Sequence, residues 1–97
     1  MAKKVVWSLR SQQDRKRIFS YWNKRNKSNR YSSRLNKLFK EATKIISDFP
    51  KIGKITEREN IRIKMVRDYL IVYKELENEI EILTIFNSSQ DPAKLKF

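Results

Sequence analysis

At 97 residues, with 23 Lys/Arg against 11 Asp/Glu and a formal net charge of +12, the chain has room for one hydrophobic core and no second domain. The absence of Cys excludes disulfides and thiolate chemistry, and the absence of His beside it removes the usual zinc ligands, so no metal or other cofactor is expected. No apolar run approaches the length of a membrane span and the N-terminus lacks a signal-type segment, so a cytoplasmic protein is expected.

Val5-Val6-Trp7 reads as a short strand that Ser8 ends by opening a helix. The first half of that helix, Ser11 to Arg17, is almost wholly polar, and Arg15 falls where an inward apolar residue is expected in the register of Ser11, Ile18 and Trp22. Ile18, Phe19, Tyr21 and Trp22 are left to dock it, at about 1.5–3 kcal/mol per fully buried large side chain. The polar first half is therefore expected to pack poorly and to offer an edge that a partner covers. Asn23 to Lys27 is polar and free of Pro and Gly, which fits the turn of a helical hairpin.

Ser28 or Asn29 is a plausible N-cap for the second helix. Tyr31, Leu35, Leu38, Ala42, Ile45 and Phe49 recur at helical spacing after it, with Phe39 and Ile46 widening the stripe. Pro50 disfavours helical geometry at Phe49 and ends the element. The pattern predicts that Leu35, Leu38, Ala42 and Ile45 pack on the sheet. Lys51 to Asn60 follows without periodicity and holds Gly53, the sole glycine of the chain, which is too little for a phosphate-binding loop.

Three strands come next. Ile61, Ile63 and Met65 alternate with Arg62, Lys64 and Val66, the period of two that buries one face and sets two cations on the other. Tyr69 to Tyr73 is apolar at every position, as in a central strand covered on both sides. Ile80 to Phe86 is again rich in β-branched residues. Asp91-Pro92 marks a turn releasing a short tail over 87–97.

Charge is unevenly spread. Residues 1–54 hold 16 Lys/Arg against 3 Asp/Glu, while residues 55–97 hold 7 against 8. So lopsided a field on the helical half implies an anionic partner: nucleic acid, a ribosome, or an acidic protein segment.

The ordered set of Val5-Val6-Trp7-Ser8, the helix ending at Trp22, the second helix ending at Phe49-Pro50-Lys51-Ile52-Gly53-Lys54, and the strand block with its Asp91-Pro92-Ala93-Lys94-Leu95 tail resembles the toxin subunits of the RelE/ParE superfamily of bacterial type II toxin–antitoxin pairs. The resemblance covers most of the chain. It implies a single α+β domain over 1–97: an N-terminal strand at a sheet edge, a helical hairpin over about 9–49, and a three-stranded antiparallel meander over about 61–86. It also implies neutralisation by a cognate acidic antitoxin, for which Arg15, Phe19, Trp22 and Arg34 are the candidate contacts.

RelE-type members cut messenger RNA on the ribosome without a metal, which requires a base, cations for the transition state and an acid. Arg62 and Lys64 occupy the positions of a basic catalytic pair in those enzymes, Lys64 as base and Arg62 on phosphate. Arg58, Arg67, Ser89 and Gln90 are candidate target contacts. The departures carry more weight. RelE-type enzymes place an arginine after the tyrosine opening the middle strand, where this chain has Leu70, and another after the last strand, where it has Ser89. ParE-type members share the scaffold, inhibit DNA gyrase and tolerate loss of these cations. ParE-like inhibition is therefore the preferred expectation. A RelE-like nuclease, disabled at Ser89 or not, and a basic nucleic-acid-binding module are the alternatives.

Overall fold

The computed structural model describes residues 2–89. In chain order these form strand β1 (Lys4–Trp7), helices α1 (Leu9–Asn26) and α2 (Arg30–Asp48), and strands β2 (Lys54–Ile55), β3 (Ile61–Val66), β4 (Tyr69–Glu75) and β5 (Glu79–Asn87). The strands make one sheet in the order β1-β5-β4-β3-β2. β1 runs parallel to β5, and the other neighbours are antiparallel. The order of strand, helical hairpin and meander is that expected. The two-residue β2 is an addition, formed where Lys54 and Ile55 pair with Ile63 and Arg62 inside the stretch expected to be loop. β5 runs one residue further than expected, through Asn87, and Ser88 and Ser89 turn after it; Gln90, the Asp91-Pro92 turn and the rest of the tail lie outside the described residues.

β4 is central because none of its residues from Tyr69 to Tyr73 needs water. Tyr69, Ile71 and Tyr73 point into the core with Ile80, Ile82 and Ile85 of β5 and with Leu35, Phe39 and Ile46 of α2. Val72 points the other way and packs with Ile61 and Phe86, flanked by Ile63, Leu70 and Leu83. This reverse-face cluster contains no helix residue.

The buried face of α2 is turned from the expected one. Leu35, Phe39, Ala42 and Ile46 are buried, whereas Leu38 is only half-buried and Ile45 is 41 % exposed. Both stripes share Leu35 and Ala42, so apolar spacing alone does not choose between them. Small hydroxyl residues do. Ser32, Thr43 and Ser47 lie on the buried face because each satisfies itself locally or on a neighbour. Thr43 Oγ1 donates to Lys40 O at 3.0 Å, Ser32 Oγ to Asn23 Oδ1 at 2.5 Å, and Ser47 Oγ to Lys3 O of the N-terminal segment. A hydroxyl bonded in this way can be buried without the cost of an unmet polar group.

α1 also departs from expectation, in that its polar half is well docked. Ser11 and Asp14 are buried, and Arg15 is turned aside to lie 4.3 Å over the Trp7 ring. The reason lies in β5. Pairing with β4 slips between Val72 and Tyr73, so that Tyr73 faces Ile82 while Val72 faces Thr84, and Leu83 is the extra residue of a bulge. Ser8, the N-cap, donates its hydroxyl to Leu83 O at 2.9 Å and accepts the Ser11 N–H at 3.1 Å. Asp14 Oδ2 accepts from Thr84 Oγ1 at 2.5 Å and from the Ile85 N–H at 3.2 Å. The helix is thus stapled to the bulge by polar groups where an apolar side chain was sought.

At the far end of α2, Tyr73 Oη donates to Pro50 O at 2.6 Å and accepts the Gly53 N–H at 2.9 Å. A Cβ on Gly53 would fall 2.5 Å from that oxygen, which is why the sole glycine stands here: a close approach, with no unusual backbone angle. The α1–α2 turn instead uses Lys27 at φ 52°, a left-handed conformation closing the helix.

These burials give opposite expectations for two apolar positions of α2. Phe39→Ala should lower unfolding free energy by about 3–5 kcal/mol, and Ile45→Ala by at most about 1 kcal/mol. Urea denaturation of the two variants checks this; equal losses would contradict the helix orientation.

Candidate functional site

Alternation along β3 places Arg62, Lys64 and Val66 on the helix-bearing side of the sheet, since Val66 packs on the main core while Ile61 and Ile63 belong to the reverse cluster. The sequence-derived pair therefore does share a face. Arg62, however, is engaged: its guanidinium donates to Lys51 O at 3.2 Å and to Gly53 O at 2.9 Å, so it closes the same loop that Tyr73 holds. Lys64 is half-buried. Arg58 lines a small hollow with Arg62 and Glu75 at the start of β3, and Arg67 forms the turn at its other end at φ 56°. Six residues of strand, about 20 Å, separate these two.

The positions where RelE-type arginines are missing do not converge with Arg62 and Lys64. Leu70 pairs with Met65 and belongs to the reverse-face cluster, so a side chain there projects away from Lys64. Ser89 is exposed, its N–H donated to Asn87 Oδ1 at 2.9 Å, and it borders a different cavity. Gln90 lies outside the described residues.

That cavity is an open cleft of about 730 Å³ between the second half of α1 and the end of the sheet. Arg17, Tyr21 and Arg25 form its helical rim, Trp22 and Tyr69 its floor, and Asp68, Asn87 and Ser88 its far side. Trp22 Nε1 donates to Tyr69 Oη at 2.8 Å, and Tyr21 meets the Trp22 ring edge to face at 5.2 Å. Arg17 is held by Asp14 Oδ1 at 2.6 Å while remaining 73 % exposed. The spacing of Arg17, Tyr21 and Arg25 at i, i+4 and i+8 was legible in the sequence; the strand ends that complete the cleft were not.

The four candidate partner contacts on the hairpin fall on three surfaces. Arg15 and Phe19 line a shallow hollow with Leu9, Gln12 and Asn36. Trp22 faces the cleft, and Arg34 borders a separate hollow with Asn26, Arg30 and Tyr31. Phe19 also stacks on Phe39 with ring centres 6.0 Å apart, so its role is partly in the core. Among the described residues no group of three or more His, Cys, Asp or Glu could hold a metal, and no helix is long and apolar enough to cross a membrane.

The family model described as the ParE toxin of type II toxin–antitoxin system, parDE, matches residues 5–92. Among solved structures, a chain of a chromosomal ParDE toxin–antitoxin system from P. aeruginosa superposes with a TM-score of 0.76. Identity is 14 %, over 89 % of this chain and 96 % of that one. At that identity the likeness speaks for the fold. No curated protein matches significantly.

Two buried tyrosines set the alkaline limit of the site. Burial raises the pKa of Tyr69, partly offset by the Trp22 N–H, and burial raises that of Tyr73, partly offset by the Gly53 N–H and by Arg62. Both phenols hold their protons longer in the fold than in the unfolded chain. Their contribution is therefore complete below about pH 10 and is lost as pH rises beyond it. Unfolding free energy should decline above about pH 10. Tyr73→Phe should be less stable at pH 7 by about 1–3 kcal/mol, from the stranded Gly53 N–H and Pro50 carbonyl, and should show a shallower alkaline decline. A variant as stable as the parent at pH 7 would show that the loop is held otherwise.

Proposed function

The chain belongs to the ParE toxin family of type II toxin–antitoxin systems, and on that premise we propose that it acts as a ParE-like inhibitor of DNA gyrase and not as a messenger RNA nuclease. One observation carries the proposal: the Arg62 guanidinium is bonded to the carbonyls of Lys51 and Gly53, committed to holding a loop. Phosphoryl-transfer chemistry without a metal needs several cations aimed at one phosphate. Here one of the two retained cations is occupied, Leu70 projects from the opposite face, and Ser89 borders another cavity. In this reading Lys64, Arg58 and Arg67 are recognition groups for the protein target on β3 and at its two ends, with Ser89 at the border of the cleft and Gln90, next in sequence, as a further candidate contact. Both target and partner put the toxin in the bacterial cytoplasm.

As the toxin of such a system, the protein has a cognate antitoxin as partner. We propose that the antitoxin presents an acidic amphipathic segment to the helical hairpin through Arg15, Phe19, Trp22 and Arg34, and continues towards the sheet edge at β2. Ile45, Phe49, Ile52 and Ile55, exposed at the end of α2 and in the loop and strand that follow, suit the apolar half of such a segment. The net charge of +12 suits its acidic half.

Two expected outcomes test these readings. In a reconstituted system the toxin should stop gyrase supercoiling and leave messenger RNA on translating ribosomes intact, with Lys64→Ala weakening the supercoiling effect. Cleavage of RNA by the unchanged chain, abolished by Lys64→Ala, would sink the gyrase reading. The antitoxin segment should raise the melting temperature of the toxin, with an affinity that falls as salt rises; salt-independent binding would contradict the placement.

A further inference from the structure

The cleft beside α1 combines features that neither gyrase recognition nor antitoxin capture requires together. Its rim repeats cation, aromatic, cation: Arg17, Tyr21 and Arg25 are spaced four residues apart on one helix, so the two guanidinium groups spring from points about 12 Å apart with a phenol between them. Tyr21 is 54 % exposed although it stands beside an apolar floor. Its ring and that of Trp22 meet at 87°, forming a corner with one open aromatic face. Trp22 cannot turn away, because its N–H is held by Tyr69 and its ring packs edge to face on Tyr31 at 4.6 Å. Arg17 is likewise aimed by its bond to Asp14.

We propose that this cleft binds single-stranded nucleic acid, with phosphates flanking one nucleotide on Arg17 and Arg25 and its base stacked on Tyr21 against the Trp22 corner. A positively charged track with interspersed aromatic planes is the physical signature of single-strand binding, since every base offers a face to stack while the backbone stays anionic. A duplex hides those faces. An acidic peptide would meet the two arginines but offers a ring to the phenol only where it carries an aromatic side chain, whereas every nucleotide brings one. The cavity, about 730 Å³, falls within the range of sites that enclose small organic groups. Asp68 on the far side repels phosphate and accepts hydrogen bonds from base amino groups, which keeps the backbone on the helical rim and the base edge inward. The site contains neither Arg62 nor Lys64 and does not rest on the gyrase reading.

The chain has two tryptophans, so Trp7→Phe leaves Trp22 as the sole reporter inside the cleft. Titrating that variant with oligothymidylate should quench Trp22 fluorescence. Tyr21→Ala, an exposed position whose change the fold tolerates, should weaken binding by about 5- to 150-fold, the loss expected for one stacked base. Arg17→Gln with Arg25→Gln should reduce the slope of log affinity against log salt by about 1.4, or 0.7 for each phosphate contact. Lys37→Gln, on the exposed side of α2, controls for general attraction to a cationic protein and should leave the quenching unchanged. Equal affinity of Tyr21→Ala and its parent would overturn the proposal. So would equal binding of a duplex of the same length, or equal quenching by polyglutamate, which would make the cleft a site for acidic protein.

Discussion

One buried carboxylate decides where the first helix goes. Asp14 reaches the bulge of β5 and accepts both the Thr84 hydroxyl and the Ile85 N–H on a single oxygen. A bulge interrupts the ladder and needs a partner from outside the sheet. A carboxylate is a strong acceptor for it, since hydrogen bonds to a charged group contribute about 1.5–3 kcal/mol each, against about 1 for neutral ones. Ser8 completes the arrangement by capping α1 and bonding Leu83 O in one stroke. The helix starts at the sheet and is held at two successive turns before any apolar contact is made.

From that anchor the rest of the cleft follows. With Asp14 fixed, Arg17 is held at its second oxygen and directed outward. Ile18 enters the core, and one turn further Trp22 meets Tyr69 from the middle strand. The opposite end of the sheet is organised by a second polar latch, in which Tyr73 and Arg62 together bind the carbonyls of Pro50, Lys51 and Gly53. Both latches draw on residues that pattern reading assigned elsewhere. Asp14 looked like surface and Arg62 like a catalytic cation. Their use as structural groups narrows what the chain can do chemically, and it favours recognition over nucleolysis.

The strands other than β2 were legible because alternation and an unbroken apolar run from Tyr69 to Tyr73 admit few other readings. The helical hairpin was legible as to existence and length, less so as to orientation. On α2 two apolar stripes shared Leu35 and Ala42, and the buried hydroxyls of Thr43 and Ser47, which select between them, count as polar in any pattern. On α1 the register through Ser11 and Ile18 was sound. Its missing member was sought at Arg15, because no periodicity reveals a bulge some seventy residues away that calls for a carboxylate at Asp14. Among site residues, Arg62 and Lys64 were rightly placed on one face, while the bonds that occupy Arg62 come from loop carbonyls, which sequence does not display. The cleft was invisible for a related reason: Asp68, Tyr69 and Ser88 join Arg17 and Tyr21 only after the sheet has formed.

The central claim is that the Asp14 carboxylate and the Thr84 hydroxyl act as one unit in pinning α1 to the bulge. A double-mutant cycle of Asp14→Ala and Thr84→Val, read by equilibrium urea denaturation, measures this directly. The account predicts a coupling free energy of about 1–3 kcal/mol, because removing either partner strands the other in a buried site and removing both does not double the loss. Additive losses, with coupling below about 0.5 kcal/mol, would mean that the Asp14–Thr84 bond does not pin the helix to the bulge.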